Sequence, residues 1–133
     1  MVHPMYSKIN LEDAEWRTQT DEEPAVKTLG YELKAAGEDR PNEMRFNYFH
    51  YEPGDAVRRH KQIDQEEVFF IVEGSGTFEV DGEEFPYESG DTIVVDAGPM
   101  RQIIAEEETY IFAVGAPNLR DDAVFEDELE GES

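Results

Sequence analysis

With 133 residues, 38% of them hydrophobic and including eight Phe and six Tyr, the chain can build one ordinary core and has no room for two. Its 11 basic residues stand against 33 acidic ones, a net charge of −22 that argues against a surface built for nucleic acid or anionic membranes. Cysteine is absent, which removes disulfides, thiolate metal sites and a Cys nucleophile, and no apolar run is long enough to cross a bilayer as a helix.

The start, Met1-Val2-His3-Pro4-Met5, lacks the charged-then-apolar order of a secretory signal, so the sequence predicts a cytoplasmic protein. Residues 1–42 read as an N-terminal extension. Within it, Asn10–Trp16 suits a short helix capped by Asn10, with acids in its first turn, and Val26–Leu33 suits a β segment, an edge strand or an arm onto a neighbour. The turn-rich Gly37–Asn42 closes the extension.

From residue 43 to 116 the pattern changes to short aromatic and β-branched runs separated by Gly, Pro, Asp and Asn, the pattern of an all-β barrel or sandwich. The expected strands are Met44–Tyr51, Ala56–Gln62, Glu67–Val72, Thr77–Val80, Glu83–Tyr87, Asp91–Val95, Arg101–Ala105 and Thr109–Val114. Asp81-Gly82 between two of them predicts a type I′ hairpin turn, because that turn needs two positive φ angles. The unbroken apolar run Val68–Val72 predicts a strand covered on both faces, whereas Thr77–Val80 alternates and should face solvent on one side. Residues 117–133 carry seven acids and little apolar material, and read as a solvated, mobile tail.

Chemistry concentrates in two spaced motifs. The first runs from Gly54 through five residues to His60-Lys61-Gln62, then four residues to Glu67 and six to Gly74. The second runs from Gly90 through five residues to Asp96-Ala97-Gly98, then Arg101 and Ala105. His60 and Gln62, two apart on a strand, share a face, and Arg58 is expected to join them; Glu67 and Arg101 arrive from other strands. Side chains converging from separate strands inside a small barrel mark the expected ligand cavity.

This ordered pair of motifs resembles the cupin superfamily, in which the first motif carries His-x-His and a Glu and the second a His. The resemblance covers residues 43–116. It implies an all-β double-stranded β-helix, a jelly-roll-like barrel, whose pocket usually holds a divalent metal. Two ligand positions depart from the pattern here, since Gln62 and Arg101 stand where the family keeps histidine. A guanidinium cannot ligate, and at 4 Å it repels even a singly charged cation by about 4 kcal/mol at an effective dielectric near 20. The expectation is therefore a pocket without a metal cofactor, in which Arg101 pairs with Glu67 and turns its remaining donors to an anionic or hydroxylated metabolite. If a metal does bind, its ligands are His60, Gln62 and Glu67.

Residues 1–61 hold nine basic against 12 acidic residues, while 62–133 hold only Arg101 and Arg120 against 21. The run Arg58-Arg59-His60-Lys61 should place at least one cation on the pocket face. Carboxylates dispersed along the whole chain, with only four Lys, suit a halophile, whose molar salt screens self-repulsion beyond a few ångströms. The resemblance further implies a homodimer joined through barrel edges. Two other functions fit the same residues. One is an enzyme, either a metal-dependent oxygenase or isomerase or a metal-free isomerase with His60 as base, its ring oriented by a carboxylate such as Asp64 or Asp91. The other is a structural or regulatory subunit whose barrel is occluded by large side chains such as Phe69, Ile71, Ile93 and Ile103.

Overall fold

Strands of alternating polarity each present one apolar face, and stacking two sheets buries those faces together. The computed structural model describes residues 5–18, 23–119 and 121–130. The opening Met1–Pro4, on which the reading of the N-terminus rests, and the last three residues of the tail lie outside them. Ten strands form: β1 (Ala25–Lys27), β2 (Arg45–Tyr51), β3 (His60–Gln62), β4 (Glu66–Glu73), β5 (Ser75–Val80), β6 (Glu83–Glu88), β7 (Thr92–Val95), β8 (Arg101–Ala105), β9 (Thr109–Ala116) and β10 (Ala123–Phe125). They make two antiparallel five-stranded sheets, ordered β1-β2-β9-β4-β7 and β10-β3-β8-β5-β6, so the fold is all-β and jelly-roll-like.

The core follows from the period of two. Thr109, Ile111 and Ala113 on β9 and Arg101, Ile103 and Ala105 on β8 point inward and are buried, while the residues between them are partly exposed. Phe78 of β5 sits at the centre, edge-on to Phe69 at 5.2 Å and stacked on Phe85 at 5.6 Å, linking the two sheets. The β5–β6 hairpin turns at Asp81 and Gly82, with φ of 47° and 91°, as the Asp-Gly pair predicts. Gly74 needs its missing Cβ as well as its positive φ: a Cβ there would lie 2.2 Å from the Thr109 hydroxyl oxygen.

Four expectations are corrected. The run Val68–Val72 is covered on one face only, because Phe69 and Ile71 are buried while Phe70 and Val72 are 42% and 43% exposed. Val26–Leu33 is not one β segment: β1 ends at Lys27 and an α-helix, α1 (Leu29–Ala35), follows. Leu29 and Leu33, four apart, fall on one helical face and are both buried. Residues 123–125 of the tail are not a solvated end, since they form β10 and pair with β3, and a short helix, α2 (Glu126–Glu130), follows. The expected helix at Asn10–Trp16 is a single 3-10 turn, Leu11–Asp13, with the Asn10 side chain accepting from the Glu12 amide at 2.9 Å.

Candidate functional site

One end of the barrel encloses a cavity of about 240 Å³. His60 and Gln62 reach its wall from β3, Arg101 from β8, Glu67 from β4 and Phe49 and Tyr51 from β2. Four of the five expected site residues therefore meet in one space. Phe69 and Ile103 form part of the lining. Phe69, Ile71 and Ile103 are buried in the core with Ile93 packed against them, but they leave this end open, so the barrel is not occluded throughout.

Arg101 has no solvent exposure. Its Nη1 donates to Glu67 Oε1 at 2.8 Å, its Nη2 to the carbonyls of Asp96 at 2.6 Å and Pro99 at 3.0 Å, and its Nε to Pro99 at 3.2 Å. A guanidinium has five N–H groups, and these contacts occupy four of them. Arg101 is thus a strut whose charge is balanced by Glu67, and the expectation that several donors remain for a ligand is corrected: one N–H is left.

His60 Nδ1 lies 2.8 Å from the Arg58 carbonyl. A carbonyl only accepts, so Nδ1 carries the proton and Nε2 presents a lone pair. Burial holds the imidazolium pKa below its ordinary value, against the opposing pull of that carbonyl and Glu67, with Arg101 adding to the depression. His60 is a neutral acceptor near pH 7. The ring is oriented by a backbone carbonyl and not by Asp64 or Asp91: the Asp91 carboxylate accepts from the Glu88 amide, and the Asp64 backbone amide donates to Asp122.

Arg58 is the fifth expected residue, and it does not line the cavity. It precedes β3, so strand alternation does not reach it, and carboxylates compete for its charge. Its guanidinium lies 3.8 Å from the Phe125 ring centroid and pairs with Asp127 at 2.6 Å. Arg59 likewise pairs with Glu79 and Glu126. None of the cations in the run Arg58–Lys61 reaches the cavity wall; the second cation there is Arg45 of β2.

Sequence reasoning missed the chain ends at this site. Glu23, Pro24 and Val26 line the cavity on one side and Ala123 and Phe125 on another, with the Phe125 ring 5.7 Å from that of His60. Asp122, buried, anchors the closing segment by accepting from the amides of Asp64 and Gln65 at 2.9–3.1 Å. The local signal was present in the apolar triplet Ala123-Val124-Phe125, but its acidic surroundings masked it.

The donors do not fit a metal of the kind the fold usually carries. Of the four positions, Arg101 cannot donate a lone pair, and it occupies Oε1 of Glu67. The His60 Nε2, the weak amide oxygen of Gln62 and Oε2 of a Glu67 already paired with the guanidinium are what remain, a poor set for a transition metal beside a fixed positive charge.

The family described as "Cupin domain" matches residues 47–114. No curated protein matches the sequence. Among solved structures, KdgF from Halomonas sp. is similar at a TM-score of 0.71 and 17% identity, over 89% of this chain and 98% of that one. Pac13 from Streptomyces, described as a nucleoside dehydratase and also seen with uridine, is similar at 0.73 and 15%, over 91% of each chain. An RmlC-like cupin from Shewanella frigidimarina is similar at 0.70 and 16%, over 90% and 96%. At such identities the likeness concerns the fold. The family match spans just over half of the chain, which belongs to the cupin family.

Proposed function

We propose that this cupin binds a small hydroxylated or anionic metabolite in its barrel without a metal. The observation that carries the reading is the Arg101–Glu67 pair, wholly inside the cavity and taking up the charge that a metal would otherwise bring. With that pair closed on itself, recognition falls to the His60 Nε2 acceptor, the Gln62 amide, the remaining N–H of Arg101, and Arg45 on the wall. These few donors and acceptors on a largely apolar wall suit hydroxyl groups, and Arg45 suits a carboxylate or phosphate. The volume lies below the usual 300–1,000 Å³ of drug-sized sites, which favours a compact metabolite.

A catalytic reading rests on one observation, the tautomer of His60. A neutral, part-buried imidazole with a free lone pair is a general base for proton abstraction, so a metal-free isomerase or lyase is the enzyme class supported second. That Pac13 is a dehydratase on the same fold agrees with this class without assigning a substrate.

The proposal extends to the whole molecule. Its acidity suits a salt-rich cytoplasm. The outward residues Val68, Phe70, Phe112, Thr92 and Val94, neighbours in register on β4, β9 and β7, carry no charge in a chain one-third charged, and we assign this face to a homodimer. Among the described residues no helix is long and apolar enough to cross a membrane.

The test is a thermal-shift screen of sugars, nucleosides and organic acids on chelator-treated protein. Stabilisation by a hydroxylated compound that is lost in His60→Ala supports the reading. Stabilisation that appears only when a divalent ion is restored, and that needs His60, overturns it.

A further inference from the structure

On the outer wall of the barrel, away from the cavity, three side chains able to ligate a metal converge. His50 ends the outward row of β2, Glu52 follows that strand, and Glu108 lies in the turn before β9. Their donor atoms lie within 4.8 Å of one another, with His50 Nε2 3.4 Å from Glu108 Oε2 and 3.7 Å from Glu52 Oε1. A four-coordinate ion with bonds near 2.0–2.1 Å sets its donors about 3.4 Å apart, so the imidazole already stands at ligand spacing from each carboxylate.

A second observation concerns the imidazole itself. Its Nε2 is shielded from solvent and has no hydrogen-bond partner, although two carboxylates flank it. A buried polar atom left unpaired needs compensation. The ring cannot easily turn away, because it stacks on Tyr110 at 4.6 Å with an 18° interplanar angle and leans against Trp16 at 5.8 Å. The nitrogen is thus held toward the carboxylates without bonding to either.

We propose that His50, Glu52 and Glu108 form a site for a divalent transition-metal ion on the outer wall, separate from the cavity. The imidazole favours ions such as Zn²⁺ or Co²⁺ over Ca²⁺ and Mg²⁺, and the two carboxylates neutralise the ion's charge, with water completing the shell. The bound ion ties the end of β2 to the turn before β9 beneath Trp16, so it acts as a brace.

Trp16 is the sole tryptophan and a built-in reporter. Chelator-stripped full-length protein is titrated with Co²⁺, a paramagnetic quencher, while Trp16 fluorescence is followed. Quenching is expected to be saturable, reversed by EDTA, at least tenfold weaker in the Glu52→Gln/Glu108→Gln variant, and unchanged in His60→Ala. Both glutamates are more than half exposed, so the amide changes leave the fold and the ring stack in place. Zn²⁺ should displace Co²⁺ and raise the Tm of the wild type but not of the double variant. Absence of saturable quenching means that His50 serves only as an ion-pair partner and overturns the proposal. It also fails if the double variant keeps the quenching, or if His60→Ala abolishes it by showing that the ion resides in the cavity.

Discussion

The guanidinium of Arg101 on β8 reaches the carboxylate of Glu67 on β4, Nη1 to Oε1 at 2.8 Å, so a single ion pair joins the two sheets inside the cavity. Such a pair costs desolvation to form, but removing one member leaves the other charge stranded, at about 3–5 kcal/mol. Arg101→Leu is expected to lose stability in that range by urea denaturation. Adding Glu67→Gln should recover part of the loss, because the stranded charge is then gone. A single variant within about 1 kcal/mol of wild type would show the pair to be incidental.

The same pair makes metal affinity a matter of two side chains. With Arg101→His and Gln62→His introduced together, three imidazoles and a carboxylate converge in place of one imidazole, an amide and a paired carboxylate, and Glu67 is released from its guanidinium. Ni²⁺ or Mn²⁺ should then bind near-stoichiometrically by equilibrium dialysis, in a form that Glu52→Gln/Glu108→Gln does not affect. Failure of the double histidine variant to gain affinity would mean that the four positions do not converge as described.

His60 predicts a pH dependence of stability. Its folded pKa is depressed by burial below the ordinary 6.5, so between those two values the unfolded chain binds the proton more readily than the folded one. The contribution is complete above pH 6.5 and is lost as pH falls toward the folded value. Thermal melts of the wild type should therefore drop in Tm below about pH 6.5, and His60→Gln should flatten that part of the curve. An identical acid limb in the variant would place the sensitivity in the carboxylates.

Asp122 holds the C-terminal segment against the cavity. Its carboxylate accepts from two backbone amides beside the site, and hydrogen bonds to a charged acceptor are worth about 1.5–3 kcal/mol. Asp122→Ala should destabilise by about 2 kcal/mol in denaturant and raise amide exchange in residues 62–65. Phe125→Ala should alter ligand affinity more than stability, because its ring flanks His60 at the cavity wall. Unchanged affinity would remove Phe125 from the site.

The uncharged outer face of β4, β9 and β7 predicts assembly. Phe70→Asp with Val94→Asp places two carboxylates on it, and Phe70 and Val94 are 42% and 56% exposed in the monomer, so the fold should survive. Light scattering in high salt should show a dimer for the wild type and a monomer for the variant. A monomeric wild type would end the assignment.

Much of the barrel was legible because its rules are local. Strand bounds follow from alternation over a few residues, and Arg101–Ala105 coincides with its expected span. Asp81-Gly82 determined its own turn, since only such residues take positive φ there at low cost. His60, Gln62, Glu67 and Arg101 were found because the spacing of two motifs implies a shared interior. Local rules failed where the outcome depended on a distant partner. Leu29 and Leu33 were compatible with strand or helix until one face was offered something to bury against. Val68–Val72 carries apolar side chains both ways, and nothing within that run says which side other strands will cover. Arg58 turned to Asp127 and Phe125, 69 and 67 positions away, and the acidic end became a strand because Asp122 found two free amides at residues 64 and 65. Sequence by itself determined most of the barrel's strands, the Asp81-Gly82 turn and four of the residues that line the cavity, through periods, turn preferences and motif spacing. Tertiary structure alone decided which charges meet, how many donors Arg101 keeps free and what closes the cavity, because those depend on Coulomb and hydrogen-bond partners that only folding brings within reach.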